Sequence, residues 1–198
     1  MADPTLACLL LAAGGSHRLG VAKQLLCLNG ESLVHRSARL LLAQSSIVVV
    51  VTGARASEVA QEIQDLPARI EHNSNWLAGM GGSIATGMRL MAEEIDGVLL
   101  MLCDQWRIDQ ADLQTLFHAW VEAPSRVTSS RWVKNFGSPA IFPRHMFSDL
   151  SQLHGRQGAK ELIKRQAHVH MVDLPNAQFD LDSSADFRAM RDYEKSVQ

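Results

Sequence analysis

The residues best suited to chemistry sit near the start of the chain, at positions 9–26, LLLAAGGSHRLGVAKQLL, where an apolar run breaks into glycines, then Arg18, then Lys23. Apolar residues continue without alternation over 6–13, which suits a strand buried on both faces. The glycines that follow suit a backbone wrapped closely around a ligand, and a loop leaving such a strand is where open α/β sheets bind nucleotides. Arg18 and Lys23 then bring positive charge to phosphates, one as a planar fork and the other as a mobile point charge. The loop is not a P-loop: Gly15 and Gly20 have the right separation, but Val21 stands where lysine is needed and Gln24 follows Lys23. It is not a dinucleotide fingerprint either, because Gly14, Gly15 and Gly20 miss that spacing and residues 47–51 run into Thr52 instead of an acidic residue.

These groups need a scaffold. Residues 24–28 read as a short extended piece closed by Asn29-Gly30, a dipeptide suited to positive φ, and Ser32 caps a helix with Leu33, Val34, Ala38, Leu41 and Leu42 at helical spacing. Five β-branched residues at 47–51 predict a second buried strand, Ser57 to about Gln64 a helix, and 68–72 a weaker strand. Asn73-Ser74-Asn75-Trp76 leads into Gly79-Met80-Gly81-Gly82; Ser83 opens a helix, and 98–102 is a third apolar strand stopping at Cys103-Asp104-Gln105. This rhythm predicts an α/β protein with a largely parallel sheet and helices on both faces. Asp109 caps a helix to Glu122 whose buried stripe is Leu113, Leu116, Phe117 and Trp120. Residues 126–133 read as extended, 135–139 as a turn, 140–142 as a short strand, 146–153 and 159–165 as helices, 169–174 as a last strand, and Ser184 onward as a helix.

At 198 residues and 46% hydrophobic content the chain is expected to form one domain. Its 19 basic and 21 acidic residues, net charge -2, offer neither a basic face for nucleic acid nor an acidic tail. Cys8, Cys27 and Cys103 are odd in number and widely spaced, which suggests neither a disulfide framework nor a zinc site and fits a reducing cytoplasm. The first apolar run has no basic residue before it and opens into the glycine loop, so no leader is expected; no run reaches the ~18 apolar residues of a membrane span. His17 reads as solvent-facing, His168 and His170 as edge-strand residues without a third metal ligand, and Cys103 as a small buried residue.

The loop as a whole, Leu11-Ala12-Ala13-Gly14-x-Ser16-x-Arg18-Leu19-Gly20-x-x-Lys23, closely resembles the signature of the small nucleotidyltransferases of molybdenum cofactor synthesis, also seen in sugar-phosphate nucleotidyltransferases. Asn73-x-x-Trp76-x-x-Gly79-Met80-x-x-Ser83-Ile84 is similar to the second block of the cytidylyltransferase branch, Cys103-Asp104-Gln105 to its metal block, Gly137-x-Pro139 to its substrate-side turn, and Asp180-Leu181-Asp182 with Asp186 to its closing acidic block. The resemblance spans roughly 6–190. It implies the molybdenum cofactor cytidylyltransferase family: a three-layer Rossmann-like nucleotidyltransferase fold, with a nucleotide-binding half over about 1–105 and an acceptor-binding half over about 106–198.

Nucleotidyl transfer brings a phosphate monoester to the α-phosphorus of a nucleoside triphosphate, with pyrophosphate leaving, so two anions must be held together. A Mg²⁺ ion, or Mn²⁺ in its place, held by one or two carboxylates and completed by waters, meets that need. Asp104, ending a buried strand, and Asp182 are the expected ligands, with Asp180 the alternative to Asp182. Arg18 and Lys23 serve the triphosphate and the charge developing on pyrophosphate, which makes Arg18, Lys23 and Asp104 the catalytic set. No general base is demanded, since a phosphate monoester is already ionised near neutral pH. Leu11, Ala12, Ala13, Gly14 and Gly15, with Ser16, are expected to bind the nucleotide, largely through backbone groups; Gly79 and Ser83 hold base or ribose, and Ser83 can also cap a helix. By resemblance, Ala12-Ala13-Gly14 goes with CTP rather than GTP, the acceptor is a phosphorylated pterin, and a molybdoenzyme or its chaperone is a partner. The alternatives are the same chemistry with GTP or another acceptor, and a carrier that binds the cofactor without turnover. Two departures fall on the acceptor side. Trp106 stands where the branch usually has proline, either stacking on a flat ligand or filling the wall, and Arg156 stands where relatives tend to carry aspartate.

Overall fold

The computed structural model describes residues 4–91 and 94–196. Strand β1 (Leu6–Ala12) leads through the glycine loop and one 3-10 turn, Lys23–Leu25, into a small hairpin, β2 (Cys27–Leu28) and β3 (Glu31–Ser32). There follow α1 (Leu33–Leu42), β4 (Val48–Thr52), α2 (Ala56–Glu62), β5 (Arg69–His72), α3 (Met80–Met88), β6 (Gly97–Leu102), α4 (Gln110–Glu122), β7 (Val127–Trp132), β8 (Asn135–Pro143), α5 (Phe147–Ser151), α6 (Ala159–Lys164), β9 (Val169–Asp173) and α7 (Ser184–Ser196). Seven strands form one sheet in the order β5-β4-β1-β6-β8-β7-β9. The first four are mutually parallel, β8 runs antiparallel to both β6 and β7, and β9 is parallel to β7.

β1 shows why the sheet needs cover on both sides. Its successive side chains point to opposite faces: Cys8, Leu10 and Ala12 join a core with residues of α1, α2 and α4, while Leu9 and Leu11 join another with residues of α3, α5 and α6. Three layers result, with β1 at the centre, as the unbroken apolar run predicts. Local signals hold where the physics is local. Asn29 and Gly30, at φ 52° and 81°, make the hairpin turn; the Ser32 hydroxyl accepts from the His35 N–H at the start of α1; Asp109 and Asp112 cap α4 reciprocally.

Other expectations need correction. Residues 24–28 begin with the 3-10 turn before β2 instead of running extended. α3 starts at Met80, with Gly79 as its N-cap residue, so Ser83 lies inside the helix and does not cap it. Glycine at 81 is demanded by packing there, since a Cβ would lie 2.7 Å from the backbone N and O of His154. Residues 135–139 are not a turn: β8 is continuous, the chain reverses at Val133-Lys134, and Ser138-Pro139 produce a register shift against Ser129 and Ser130. Glycine and proline signal a strand irregularity as readily as a turn. Among the described residues no helix is long and apolar enough to cross a membrane.

His35 fastens the hairpin region to the segment after α2, with Nδ1 2.7 Å from Glu31 and Nε2 3.1 Å from Asp65. Burial acts to lower its pKa, but the two carboxylates outweigh that and raise it above the ordinary imidazole value. The resulting stabilisation is present below the unfolded pKa of about 6.5 and is lost as pH rises through the folded value. His35→Gln is therefore expected to cost about 0.5 kcal/mol in urea melts at about pH 5.5 and next to nothing at about pH 8.5. An equal loss at both pH values would show that the ring acts through packing alone.

Candidate active site

The glycine loop turns its carbonyls inward. Gln24, 1% exposed, donates from Nε2 to the carbonyls of Ala12 at 3.0 Å and Gly14 at 2.6 Å, while the Ala13 carbonyl accepts from the Ala54 N–H at 3.1 Å. Ser16, at φ 52°, accepts from Leu19 and Gly20 N–H groups through its carbonyl and from the Lys23 N–H through its hydroxyl. The N–H groups of Gly14 to Arg18 have no acceptor among the described residues. At the carboxyl end of β1 the loop thus leaves successive N–H donors unused while its Ala12, Ala13, Gly14 and Ser16 carbonyls are engaged, an arrangement suited to anions.

Opposite it stand carboxylates from two other segments. Asp104 follows β6 and is 7% exposed; Asp182 precedes α7. The Lys23 ammonium contacts Asp104 Oδ2 and lies 3.1 Å from Asp182 Oδ1, and Arg18 Nη2 lies 2.7 Å from Asp182 Oδ2. Burial works to lower the Lys23 pKa, but Asp104 and Asp182 outweigh it and raise it above the usual ammonium value, so Lys23 stays charged. Asp182 does not cap α7. That task falls to Ser183 and Asp186, whose side chains bond each other's backbone N–H groups, which leaves the Asp182 carboxylate to the cations. Asp180 also faces this cluster, and burial together with the charges of Asp104 and Asp182 pushes its pKa up to about 7.

Two oxygens here, Asp104 Oδ1 and Asp180 Oδ1, are buried without a hydrogen-bond partner. An all-oxygen set of few carboxylates suits a hard cation that keeps part of its water, such as Mg²⁺ or Mn²⁺, and does not suit zinc. No group of three or more His, Cys, Asp or Glu side chains that could hold a metal is assembled among the described residues. Cys103 is a neutral thiol, its pKa raised by burial and then by Asp104, and supplies no nucleophile.

A cleft of about 310 Å³ is lined by Leu11, Ala13, Gly14, Gly15, Lys23, Gly79, Ser83 and Asp104. Other expected site residues lie elsewhere. Ala12 points into the core, Ser16 braces the loop, and Arg18 and Asp182 pair at the margin. His17 is exposed, as its position suggests, but it also lines the cleft and stacks on Trp76 with ring centroids 6.3 Å apart. The sequence reading assigned no role to Gln24 or to Asn73, whose amide donates to Ser83 Oγ at 3.0 Å. Its only signal for Asn73 was membership of the motif; for Gln24 it was a polar residue in an otherwise apolar stretch.

A second cavity of about 250 Å³ adjoins the first through Met80 and Leu102 and is lined by Gln105, Trp132, Asn135, Phe136, Ser138, Lys160 and Asp180, among others. Pro139 and Arg156 do not line it, and Arg156 is exposed. Trp106 faces neither cavity: it is 3% exposed and belongs to a buried cluster with Leu28, Leu33, Leu181 and Met190. Of its two expected uses, stacking on a ligand is excluded. His170 lies in edge strand β9, as expected.

A mostly parallel α/β sheet with an amide-lined loop at the end of its central strand and carboxylates facing that loop defines a Rossmann-like nucleotide-handling protein. Residues 8–170 match the MobA-like NTP transferase domain, and the chain belongs to that family of nucleotidyltransferases. It is 29% identical over 175 residues to the purine catabolism protein PucB of Bacillus subtilis, covering 83% of each chain. Among solved structures it is similar to Rv0371c from Mycobacterium tuberculosis, with TM-score 0.81 and 23% identity over 96% of this chain and 100% of that one; a further structure of that protein is a manganese complex. The fold is also shared with a CMP:2-keto-3-deoxy-manno-octonic acid synthetase complexed with CTP, at TM-score 0.75 and 16% identity over 98% of this chain and 100% of that one.

Replacing Gln24 with leucine removes the donor for two loop carbonyls. It is expected to weaken nucleoside triphosphate binding, read by calorimetry, on the order of 10-fold or more by misaligning the loop, and to cost about 1–3 kcal/mol of stability through unpaired carbonyls. Unchanged nucleotide affinity would show that the loop holds its shape without the amide.

Proposed function

We propose that the protein transfers CMP from CTP to the phosphate of a molybdenum-molybdopterin acceptor in the cytoplasm, releasing pyrophosphate. The observation that carries the reading is the Lys23 ammonium, brought by the glycine loop against both Asp104 and Asp182, in a cleft that adjoins a second cavity. The larger cleft takes CTP. Leu11 to Gly15 meet the base through backbone groups, Gly79 and Ser83 hold base or ribose, and the loop amides with Ser16 receive the phosphates. The second cavity takes the acceptor between apolar walls that include Trp132 and Phe136, with Lys160 as its cation. In this reading residues up to about 105 serve the nucleotide and those from about 106 chiefly the acceptor, while Met80, Leu100 and Leu102 also contribute to the second cavity.

Asp104 and Asp182, or Asp180 in its place, would hold the Mg²⁺ or Mn²⁺ ion, and the fit rests on the unpartnered Asp104 and Asp180 oxygens. When bound, that ion supplies neutralisation of the triphosphate oxygens. Lys23 brings its ammonium to the reacting phosphates and Arg18 its planar fork to the leaving pyrophosphate, which places preorganised charge where it accumulates. The acceptor phosphate enters already ionised, so no side chain need remove a proton. The choice of CTP and of the pterin rests on the sequence resemblance; the CTP and manganese complexes of structural neighbours are consistent with a cytidine nucleotide and a divalent ion.

Pyrophosphate release should require CTP, Mg²⁺ and the phosphorylated pterin together, and Asp104→Asn should lower it about 10²–10³-fold while circular dichroism stays unchanged. Turnover with GTP but not CTP would reject the base assignment. Undiminished delivery of cofactor to a molybdoenzyme by Asp104→Asn would instead identify a carrier.

A further inference from the structure

One aromatic side chain, used by neither cavity, connects all the segments that supply the charged cluster. Trp106 lies two residues after Asp104. Its buried cluster includes Leu28 and Leu33, in and just after the hairpin that follows Lys23, Leu181 between Asp180 and Asp182, and Met190 of α7; Leu19 and Leu26, flanking Arg18 and Lys23 in sequence, pack against the same cluster. The indole meets Phe179 and Tyr193 at steep angles, with centroids 5.7 and 5.4 Å apart. The Arg107 guanidinium covers those two rings from 4.4 and 4.6 Å.

Main-chain bonds run through the same place. The Asp104 carbonyl accepts from both the Trp106 N–H at 2.9 Å and the Leu181 N–H at 3.0 Å. At the other end of α7 the buried Glu194 carboxylate accepts from the Asn29 N–H at 2.5 Å. Lys23 bridges Asp104 and Asp182 from the site side, and the Trp106 cluster packs behind the segments that carry them. Protein interiors pack densely enough to transmit a change of side-chain volume as displacement.

We infer that Trp106 is a positioning residue for the ion and nucleotide site, its bulk setting the separation of Asp104 from Asp182 and Lys23. The inference rests on the proposed use of those carboxylates, and it assigns a purpose to an aromatic residue where proline is usual. Residues that orient ligating side chains without touching the ligand characteristically change affinity about 10–100-fold when altered.

The test is Mn²⁺ binding followed by electron paramagnetic resonance in the wild type, Asp104→Asn, Trp106→Leu and Trp106→Phe, each checked for folding by circular dichroism. Trp106→Leu is expected to weaken Mn²⁺ about 10-fold and to lower kcat with little change in the CTP KM, while Trp106→Phe, which keeps a ring against Phe179 and Tyr193, restores most of the affinity. If Trp106→Leu does not fold, Tyr193→Leu removes another part of the cluster and should weaken Mn²⁺ in the same direction. Wild-type Mn²⁺ affinity in folded Trp106→Leu, or in Tyr193→Leu where that variant stands in, overturns the positioning role. Undiminished affinity in Asp104→Asn, or no Mn²⁺ binding by the wild type, overturns the carboxylate reading itself, whatever the Trp106 variants do.

Discussion

The structure depends on a problem of like charges. Asp104, Asp180 and Asp182 converge in a partly buried place, and burial together with the charges of Asp104 and Asp182 pushes the Asp180 pKa up. Lys23 between Asp104 and Asp182, and Arg18 against the other oxygen of Asp182, make the arrangement tolerable. Both cations come from the loop after β1, so the loop must come close to the ends of β6 and the segment before α7. The place of β1 inside the sheet, between β4 and β6, and the inward-facing carbonyls tied to Gln24 and Ala54 bring it there. In the proposed function phosphate recognition then needs no basic surface. A few cations and a row of amides suffice, in keeping with a chain of near-balanced charge.

What could be read from the sequence was what local physics decides. Continuous apolar runs marked β1, β4 and β6, since only strands covered on both faces dispense with alternation. Asn29-Gly30 and Asp109 marked a turn and a cap for reasons contained within a few residues. The reciprocal Ser183–Asp186 cap emerges only in the structure, and that pairing explains why Asp182 is free to face Lys23. The family, and with it the nucleotidyltransferase fold, was legible in motif order.

The rest depended on distant partners. Gln24 has no local feature that shows its amide serving Ala12 and Gly14. The start of α3 was hidden by its run of glycines, tolerated because the His154 backbone packs against Gly81. β8 was misread because Gly137 and Pro139 interrupt a strand at an irregularity that only pairing with β7 reveals. Trp106 showed as a departure from a pattern, and its place behind the charged cluster follows from the docking of α7, far along the chain.

Met80 and Leu102 border both cavities. They form a partition, and under the proposed reaction each substrate is held on one side of it. Under that reading the joined product spans both chambers, and a non-reactive mimic joining the two halves would gain the effective-concentration advantage of any linked pair over either half alone.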